Sequence, residues 1–204
     1  EATLTNTNIY QNTASYSGGG LYISGAATLT NSKATLTNSN VYDNDASRSG
    51  GGAYVRLNGV ANFEGCNIHD NTARNSGGGL AIWGTATLTN SNVYANEAGQ
   101  GGGVYVNGVA HFEGCNIHDN TATYYGGGVY VQENGGEATL TNTDIYYNTA
   151  SSTGRQAGGG LFLHGVANLE SCNVYSNTAA YGGGVYVSSG GVANFEGCNI
   201  HDNT

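Results

Sequence analysis

The fold is decided by segments such as Gly101–Asn120, GGGVYVNGVAHFEGCNIHDN. After three glycines, apolar and polar residues alternate in Val104-Tyr-Val106, again in Ala110-His-Phe112 and again in Cys115-Asn-Ile117. Alternation with a period of two is typical of β-strands, because successive side chains of a strand point to opposite faces, whereas a helix needs a period of 3.6. The segment therefore predicts three short strands whose apolar residues point inward.

This segment is one copy of a repeat. A four-residue signature, Ile or Val followed by two residues and Asn, occurs eight times, and its copies lie 24 to 32 residues apart. Its asparagines are Asn12, Asn44, Asn71, Asn96, Asn120, Asn148, Asn177 and Asn203. A fixed period of this length indicates a solenoid. A coil that climbs one strand spacing per turn also supplies the crossover that parallel strands require. We therefore predict an all-β, single-stranded parallel β-helix of about eight rungs with three short strands per rung.

The eight asparagines occupy one position of the repeat, at a turn. We expect their side chains to stack in a column, with amide groups bonded to the rungs above and below and to bent backbone. The three consecutive glycines between successive signatures permit the neighbouring bend. The sequence thus predicts a structural Asn ladder rather than a catalytic site.

The whole chain, residues 1–204, reads as one β-helix domain, since no linker interrupts the repeats. Residues 27–33 and 34–40 are a near duplication, so one copy is expected to loop out, and the sequence does not say which. The chain begins and ends within repeats. We therefore expect a segment of a longer solenoid, or assembly through bare terminal rungs.

Composition and charge exclude several partners. The 204 residues carry a formal net charge of -9, and the cations are Lys33, Arg48, Arg56, Arg74 and Arg155. Such a chain repels nucleic acid and anionic membrane surfaces. No apolar run is long enough to cross a bilayer, so direct membrane insertion is not expected.

The signature Ile68-x-x-Asn71 and the run Gly101-Gly-Gly-Val104 resemble the FxxN and GGA[ILV] motifs of polymorphic outer-membrane proteins and related right-handed parallel β-helix repeat proteins. Ile or Val stands in place of Phe, and Gly in place of Ala, which keeps an inward apolar residue and a tight bend. The resemblance covers the whole chain and implies a right-handed solenoid that is extracellular or at the cell surface, often adhesive. It transfers no catalytic residue.

The cysteines occupy one repeat position, which other rungs fill with small hydroxyl residues. They are Cys66, Cys115, Cys172 and Cys198. Cys172 and Cys198 lie in adjacent rungs and are the one pair whose spacing allows a disulfide, whereas an intervening rung would hold Cys66 and Cys115 about 10 Å apart. The alternative is that all four are small packing thiols.

A column of aromatic residues provides the candidate interaction face. Its members are Tyr22, Tyr54, Tyr105, Tyr130, Phe162 and Tyr186. Outward aromatic faces bind sugars and proteins, and they also stack along a solenoid without any ligand. A second outward column contains Tyr10, Tyr42, Tyr94, Tyr146 and Tyr175, with His69, His118 and His201 in the remaining rungs.

Carboxylates and histidines do not form a convincing active site. Glu64, Glu113, Glu170 and Glu196 share one outward position and resemble a solvated ladder, and the three histidines are not in adjacent rungs. We expect no metal, no cofactor and no enzymatic activity. A polysaccharide lyase or glycoside hydrolase remains a third hypothesis, because some members of a carboxylate ladder would lie at glycosidase distances.

The sequence therefore favours a non-enzymatic structural protein, a subunit or segment of an extracellular fibre or surface stalk. Self-association is expected through bare ends or through Tyr and Thr faces, and the Thr-x-Thr pairs could carry O-linked glycans. The alternative is a surface adhesin that binds polysaccharide through its outward Tyr columns.

Overall fold

The computed structural model describes residues 2–24, 32–152 and 157–204. All elements in these ranges are β-strands, and they contain no helix of the length and apolarity needed to span a membrane. In chain order the first strands are β1 (Ala2–Thr5), β2 (Asn8–Tyr10), β3 (Thr13–Ala14), β4 (Leu21–Ile23), β5 (Ser32–Thr37), β6 (Asn40–Tyr42), β7 (Asp45–Ala46), β8 (Ala53–Val55), β9 (Gly59–Glu64), β10 (Asn67–His69), β11 (Thr72–Ser76), β12 (Leu80–Ile82), β13 (Thr85–Thr89), β14 (Asn92–Tyr94) and β15 (Glu97–Gln100). The remaining strands are β16 (Val104–Val106), β17 (Val109–Glu113), β18 (Asn116–His118), β19 (Thr121–Tyr125), β20 (Val129–Val131), β21 (Glu137–Thr141), β22 (Asp144–Tyr146), β23 (Thr149–Ala150), β24 (Leu161–Leu163), β25 (Val166–Glu170), β26 (Asn173–Tyr175), β27 (Thr178–Ala179), β28 (Val185–Val187), β29 (Val192–Glu196) and β30 (Asn199–His201).

Every fourth strand belongs to the same parallel sheet. Sheet A stacks β1, β5, β9, β13, β17, β21, β25 and β29, and sheet B stacks the eight strands that follow them, from β2 to β30. Sheets C (β3 to β27) and D (β4 to β28) contain seven strands each. The all-β parallel solenoid is therefore confirmed, with eight rungs in sheets A and B. Sheet C adds a fourth strand to the three that the sequence predicts for each rung.

The register places equivalent repeat positions directly above one another. In sheet A, Ala86 pairs with Ala61 and Ala110 in the rungs on either side, and Leu88 pairs with Phe63 and Phe112. A slip of one residue would turn these side chains to the solvent, so burial fixes the register.

The core runs along the axis of the coil. In the inner rungs, the inward residues of sheets A, B and D, such as Leu88, Val93 and Ile82, are buried. Sheet C contributes small residues instead, such as Ala98. The alternation predicted from period two is confirmed in sheets A and B, whereas β12, β16, β20 and β24 of sheet D bury all three of their residues.

The glycine triplets lie against the asparagines of the next rung. A Cβ added to Gly103 would be 2.8 Å from the carbonyl oxygen of Gly128 and 3.0 Å from the amide of Asn120. A side chain at this position therefore has no room. The triplet and the signature asparagine occur together in the repeat because they pack on one another.

The structure shows where part of the duplicated segment lies. Thr35, Leu36 and Thr37 pair with Thr3, Leu4 and Thr5 of β1, so the second copy lies in the rung. The backbone of Ser32 and Lys33 extends the same strand and pairs with β9. The rest of the predicted 27–33 loop, residues 27–31, lies outside the described residues.

Candidate functional site

The structure places the eight signature asparagines in one buried Asn ladder. Asn96 is typical: its Nδ2 donates to Oδ1 of Asn120 at 3.0 Å and to the carbonyl of Ile68 at 2.9 Å, while its Oδ1 accepts from the backbone and side-chain amides of Asn71. The interior members are 0 to 1% exposed. Each buried amide is therefore satisfied by its neighbours, and the column is a structural element.

A second ladder, which the sequence analysis did not identify, lies at the start of the sheet B strands. Its side chains bond to the preceding rung, so its direction is opposite to that of the buried ladder. In this outer Asn ladder, for example, Nδ2 of Asn116 donates to Oδ1 of Asn92 at 2.9 Å. The same pattern joins Asn8, Asn40, Asn67, Asn92 and Asn116, and then Asp144, Asn173 and Asn199. Asp144 has no amide hydrogen to donate to Asn116, so the ladder is interrupted there.

The second aromatic column is one continuous stack of eight rings, here called the Tyr–His stack. It contains Tyr10, Tyr42, His69, Tyr94, His118, Tyr146, Tyr175 and His201. Neighbouring centroids are 4.7 to 5.4 Å apart and the rings are within 7° of parallel. The histidines thus act as ring-stacking substitutes for tyrosine.

Each histidine of this stack is oriented by the next residue. Nδ1 of His69 lies 2.7 Å from a carboxylate oxygen of Asp70, and the same pair forms at His118 and Asp119. The described residues contain no group of three or more His, Cys, Asp or Glu side chains that could hold a metal ion.

The predicted interaction face is also a continuous column, but the structure corrects both its membership and its exposure. Trp83 joins it, because the rung of Ala81 has no ring in the column and the indole fills the gap, with its centroid 5.0 Å from Tyr54 and 5.1 Å from Tyr105. We call the seven rings the aromatic ridge: Tyr22, Tyr54, Trp83, Tyr105, Tyr130, Phe162 and Tyr186.

Three of the seven rings of the aromatic ridge are covered. Tyr105, Tyr130 and Phe162 are only 4 to 6% exposed, so they are not the free surface that the sequence predicted. Tyr125 lies over them, with its ring centroid 4.9 Å from Phe162 and 6.0 Å from Tyr130. Burial raises the pKa of Tyr105 to about 12. These three rings therefore pack mainly against other rings and stabilise the rod.

Three rings at the other end of the ridge, Tyr22, Tyr54 and Trp83, border an open cleft of about 590 Å³, which we call the Arg48 cleft. In sheet C, Tyr125 pairs with Gln100, and Gln100 pairs with Ser76, so these three residues share one position of the repeat. Beside the cleft this position holds a serine instead of a tyrosine. The small side chains leave the rings uncovered. The cleft is lined by Tyr16, Tyr22, Arg48, Tyr54, Asn75 and Trp83, together with three serines.

All four cysteines are free thiols, including the pair Cys172 and Cys198 whose spacing allowed a disulfide. Both thiols point toward carbonyl oxygens of the preceding rung, and the backbone N–H of Cys172 donates to Sγ of Cys198 at 3.4 Å. The sulfur atoms therefore take part in the turn as small hydrogen-bonding groups. Burial raises the pKa of Cys172 to about 11 and also raises the pKa values of Cys66 and Cys115.

In most of the carboxylate column of sheet A, threonine separates one glutamate from the next. Thr89 separates Glu64 from Glu113 in the register, and only Glu170 and Glu196 are in adjacent rungs. Both of these side chains are exposed. The pair is the one place in this column where two carboxylates approach each other.

Comparison with known proteins gives one result at the level of the family. Residues 78–204 match the family model described as a right handed beta helix region. Neither the curated proteins nor the solved structures contain a significant match to the chain. The match and the parallel solenoid together confirm the resemblance to right-handed β-helix repeat proteins, and the chain belongs to the right-handed β-helix family.

Proposed function

We propose that this chain is a non-enzymatic structural protein, a stiff segment of an extracellular fibre or surface stalk. The observation that carries the proposal is the continuity of its side-chain columns. The buried Asn ladder and the Tyr–His stack each run from the first rung to the last without a gap. Bending or twisting the rod would have to break hydrogen bonds and ring contacts in several columns at once.

The cysteines are compatible with an oxidising environment outside the cell. A thiol must ionise to react, and burial keeps Cys66, Cys115 and Cys172 protonated at neutral pH. These three buried thiols are therefore poor nucleophiles and can stay free outside the cell. The exposed Thr and Tyr side chains of the inner rungs, such as Thr72, Thr123 and Tyr147, are available for lateral packing between rods or for O-linked glycans.

The competing hypothesis of polysaccharide cleavage is tested by activity. We expect the purified chain to release neither new reducing ends nor unsaturated products from polygalacturonate, alginate or hyaluronan. Turnover that is abolished in Glu170→Gln or Glu196→Gln would overturn the non-enzymatic proposal. Glu113→Gln is the matched control, because it lies in the same column between two threonines. A second candidate function, saccharide adhesion, is favoured by the Arg48 cleft.

A further inference from the structure

The outer Asn ladder changes its chemistry at the step between Asn116 and Asp144. At the other steps, Nδ2 of one side chain donates to the oxygen of the preceding rung at 2.7 to 3.0 Å. Asp144 pairs with Asn116 in the register, but its carboxylate carries an oxygen where asparagine carries Nδ2. Since Oδ1 of Asp144 accepts from Asn173 in the following rung, its Oδ2 is left on the side of Asn116.

Two acceptor atoms therefore face each other across this step. Within the described parts of the chain, no hydrogen bond joins Asn116 to Asp144, and none of the ion pairs includes Asp144. Both residues are half-buried, so solvent still reaches the pair while part of its hydration is lost. Two facing oxygens, one of them charged, repel each other unless a positive group lies between them.

The surroundings of Asp144 add negative charge. Burial raises the pKa of Tyr146 most, and the carboxylates of Asp119 and Asp144 raise it further, so both carboxylates act on the same phenol. Burial also raises the pKa of Tyr175, and there Asp144 adds to the effect as well. The electrostatic field at this step of the ladder therefore favours a cation.

We propose that Oδ1 of Asn116 and Oδ2 of Asp144 bind a calcium ion, which joins the two rungs in place of the missing amide hydrogen. Calcium binds carboxylate and amide oxygens and takes water at its remaining positions. Two oxygens that each lie about 2.4 Å from one calcium ion can be up to about 5 Å apart, which is the spacing of adjacent rungs. Magnesium fits less well, because it gives up water reluctantly and demands octahedral geometry.

The site has a single charged ligand and is therefore weak. We expect a dissociation constant of about 10⁻³ M, in the range of extracellular calcium-binding modules. This binding site goes beyond the structural role proposed above. The buried Asn ladder crosses the same rungs without a break, through Asn120 and Asn148, so a chain that binds no calcium would still be a rod. The two proposals can therefore fail separately.

Asp144→Asn tests the site directly, because it keeps the shape of the side chain and supplies the missing Nδ2 donor. The full chain, freed of divalent cations with EDTA, is unfolded with urea at constant ionic strength. We expect about 10 mM calcium chloride to raise the urea midpoint of the unaltered chain by about 0.5 M. The same addition should raise that of Asp144→Asn by less than about 0.1 M. Without calcium, Asp144→Asn should be the more stable of the two, because its ladder is complete.

Asp119→Asn is the matched control for charge. It removes a neighbouring exposed carboxylate, which pairs with His118, and leaves the ladder unchanged. Binding is measured independently with Tb³⁺, a luminescent substitute for calcium that tyrosines excite, and Tyr146 lies two residues from Asp144. We expect a signal that calcium displaces, with affinity at least about fivefold weaker in Asp144→Asn and less than about twofold weaker in Asp119→Asn.

Three results would overturn the proposal. If calcium raises the midpoints of the unaltered chain and of Asp144→Asn equally, its effect is general screening of charge. If calcium changes neither the midpoint of the unaltered chain nor the Tb³⁺ signal, water satisfies the two oxygens. If Asp119→Asn and Asp144→Asn lose the calcium effect equally, the ion lies outside the ladder.

Discussion

At the scale of single residues, each inner member of the buried Asn ladder bonds to the asparagines of the rungs above and below it. Asn120 is fully buried, and its side chain bonds to Asn96, to Asn148 and to the carbonyl of Val93. Replacing it by alanine leaves buried donors and acceptors unsatisfied in two neighbouring rungs. We expect Asn120→Ala to lower the free energy of unfolding by about 3–5 kcal/mol, measured by guanidinium denaturation.

The matched control for this variant is Asn116→Ala in the outer Asn ladder. Asn116 is partly exposed, so water replaces its lost partners and the cost should be about 0.5–1 kcal/mol. Equal effects of the two variants would contradict the role of burial in the ladder.

The covered tyrosines and thiols predict a loss of stability at alkaline pH. Burial raises the pKa of Cys172 from 9.0 to about 11 and that of Tyr105 from 10.0 to about 12. Above pH 9 the unfolded chain loses these protons while the folded chain keeps them. The stabilising contribution is therefore complete below about pH 9 and is lost as the pH rises toward 12.

This loss is measured by guanidinium denaturation between pH 8 and pH 12, together with phenolate absorbance. Tyr105→Phe should remove an absorbance step near pH 12 and reduce the alkaline loss of stability. If the Tyr105 phenol ionises near the ordinary tyrosine pKa of 10.0, this part of the ridge is open to water.

At the scale of the elements, the glycine triplets pack closely against the buried Asn ladder. Gly103→Ala would place its Cβ against the Gly128 carbonyl and the buried amide of Asn120, neither of which can move. We expect a cost of about 2–3 kcal/mol in the free energy of unfolding, from overpacking.

Gly190→Ala separates the effect of space from the effect of backbone strain. Gly190 has a φ of +90°, and a Cβ added there would meet nothing within 4 Å. Only the cost of the positive φ should remain, about 1 kcal/mol. A Gly103→Ala variant as stable as Gly190→Ala would contradict the packing of the triplet on the ladder.

The elements also explain how far the sequence could predict the site. Period two and the repeat register were enough to predict the parallel sheets, the inward residues and the position of the Asn ladder. The repeat pattern does not predict that Trp83 fills the gap at Ala81. Trp83 lies two residues further along the chain, just after β12, and a column defined by equal repeat positions does not include such diagonal neighbours.

For a related reason, the repeat pattern does not predict which rings of the ridge are buried. Tyr125 covers Tyr130 and Phe162 because the residues between the signature and the glycines differ in number and size from rung to rung. The same irregularity places Ser49 and Ser76 beside the uncovered rings of the ridge and creates the Arg48 cleft. Function in this solenoid is therefore expected where side chains depart from the repeat.

At the scale of the whole molecule, the central claim is that the columns hold the rungs at constant spacing and make the chain a stiff rod. One outward column of sheet A contains Thr35, Thr139, Asn168 and Asn194. The last three lie four, five and six strand spacings from Thr35. Spin labels on Thr35 and on each of the other three should therefore report backbone separations of about 19, 24 and 29 Å. The four cysteines are first replaced by serine, which occupies the same repeat position at Ser39 and Ser91.

The measurement that tests this claim most directly is double electron–electron resonance on these three label pairs. We predict narrow distance distributions whose centres increase by about 5 Å for each added rung. Broad distributions, or centres that do not increase in proportion to the number of rungs, would contradict the stiff parallel solenoid and with it the proposed role as a fibre or stalk segment.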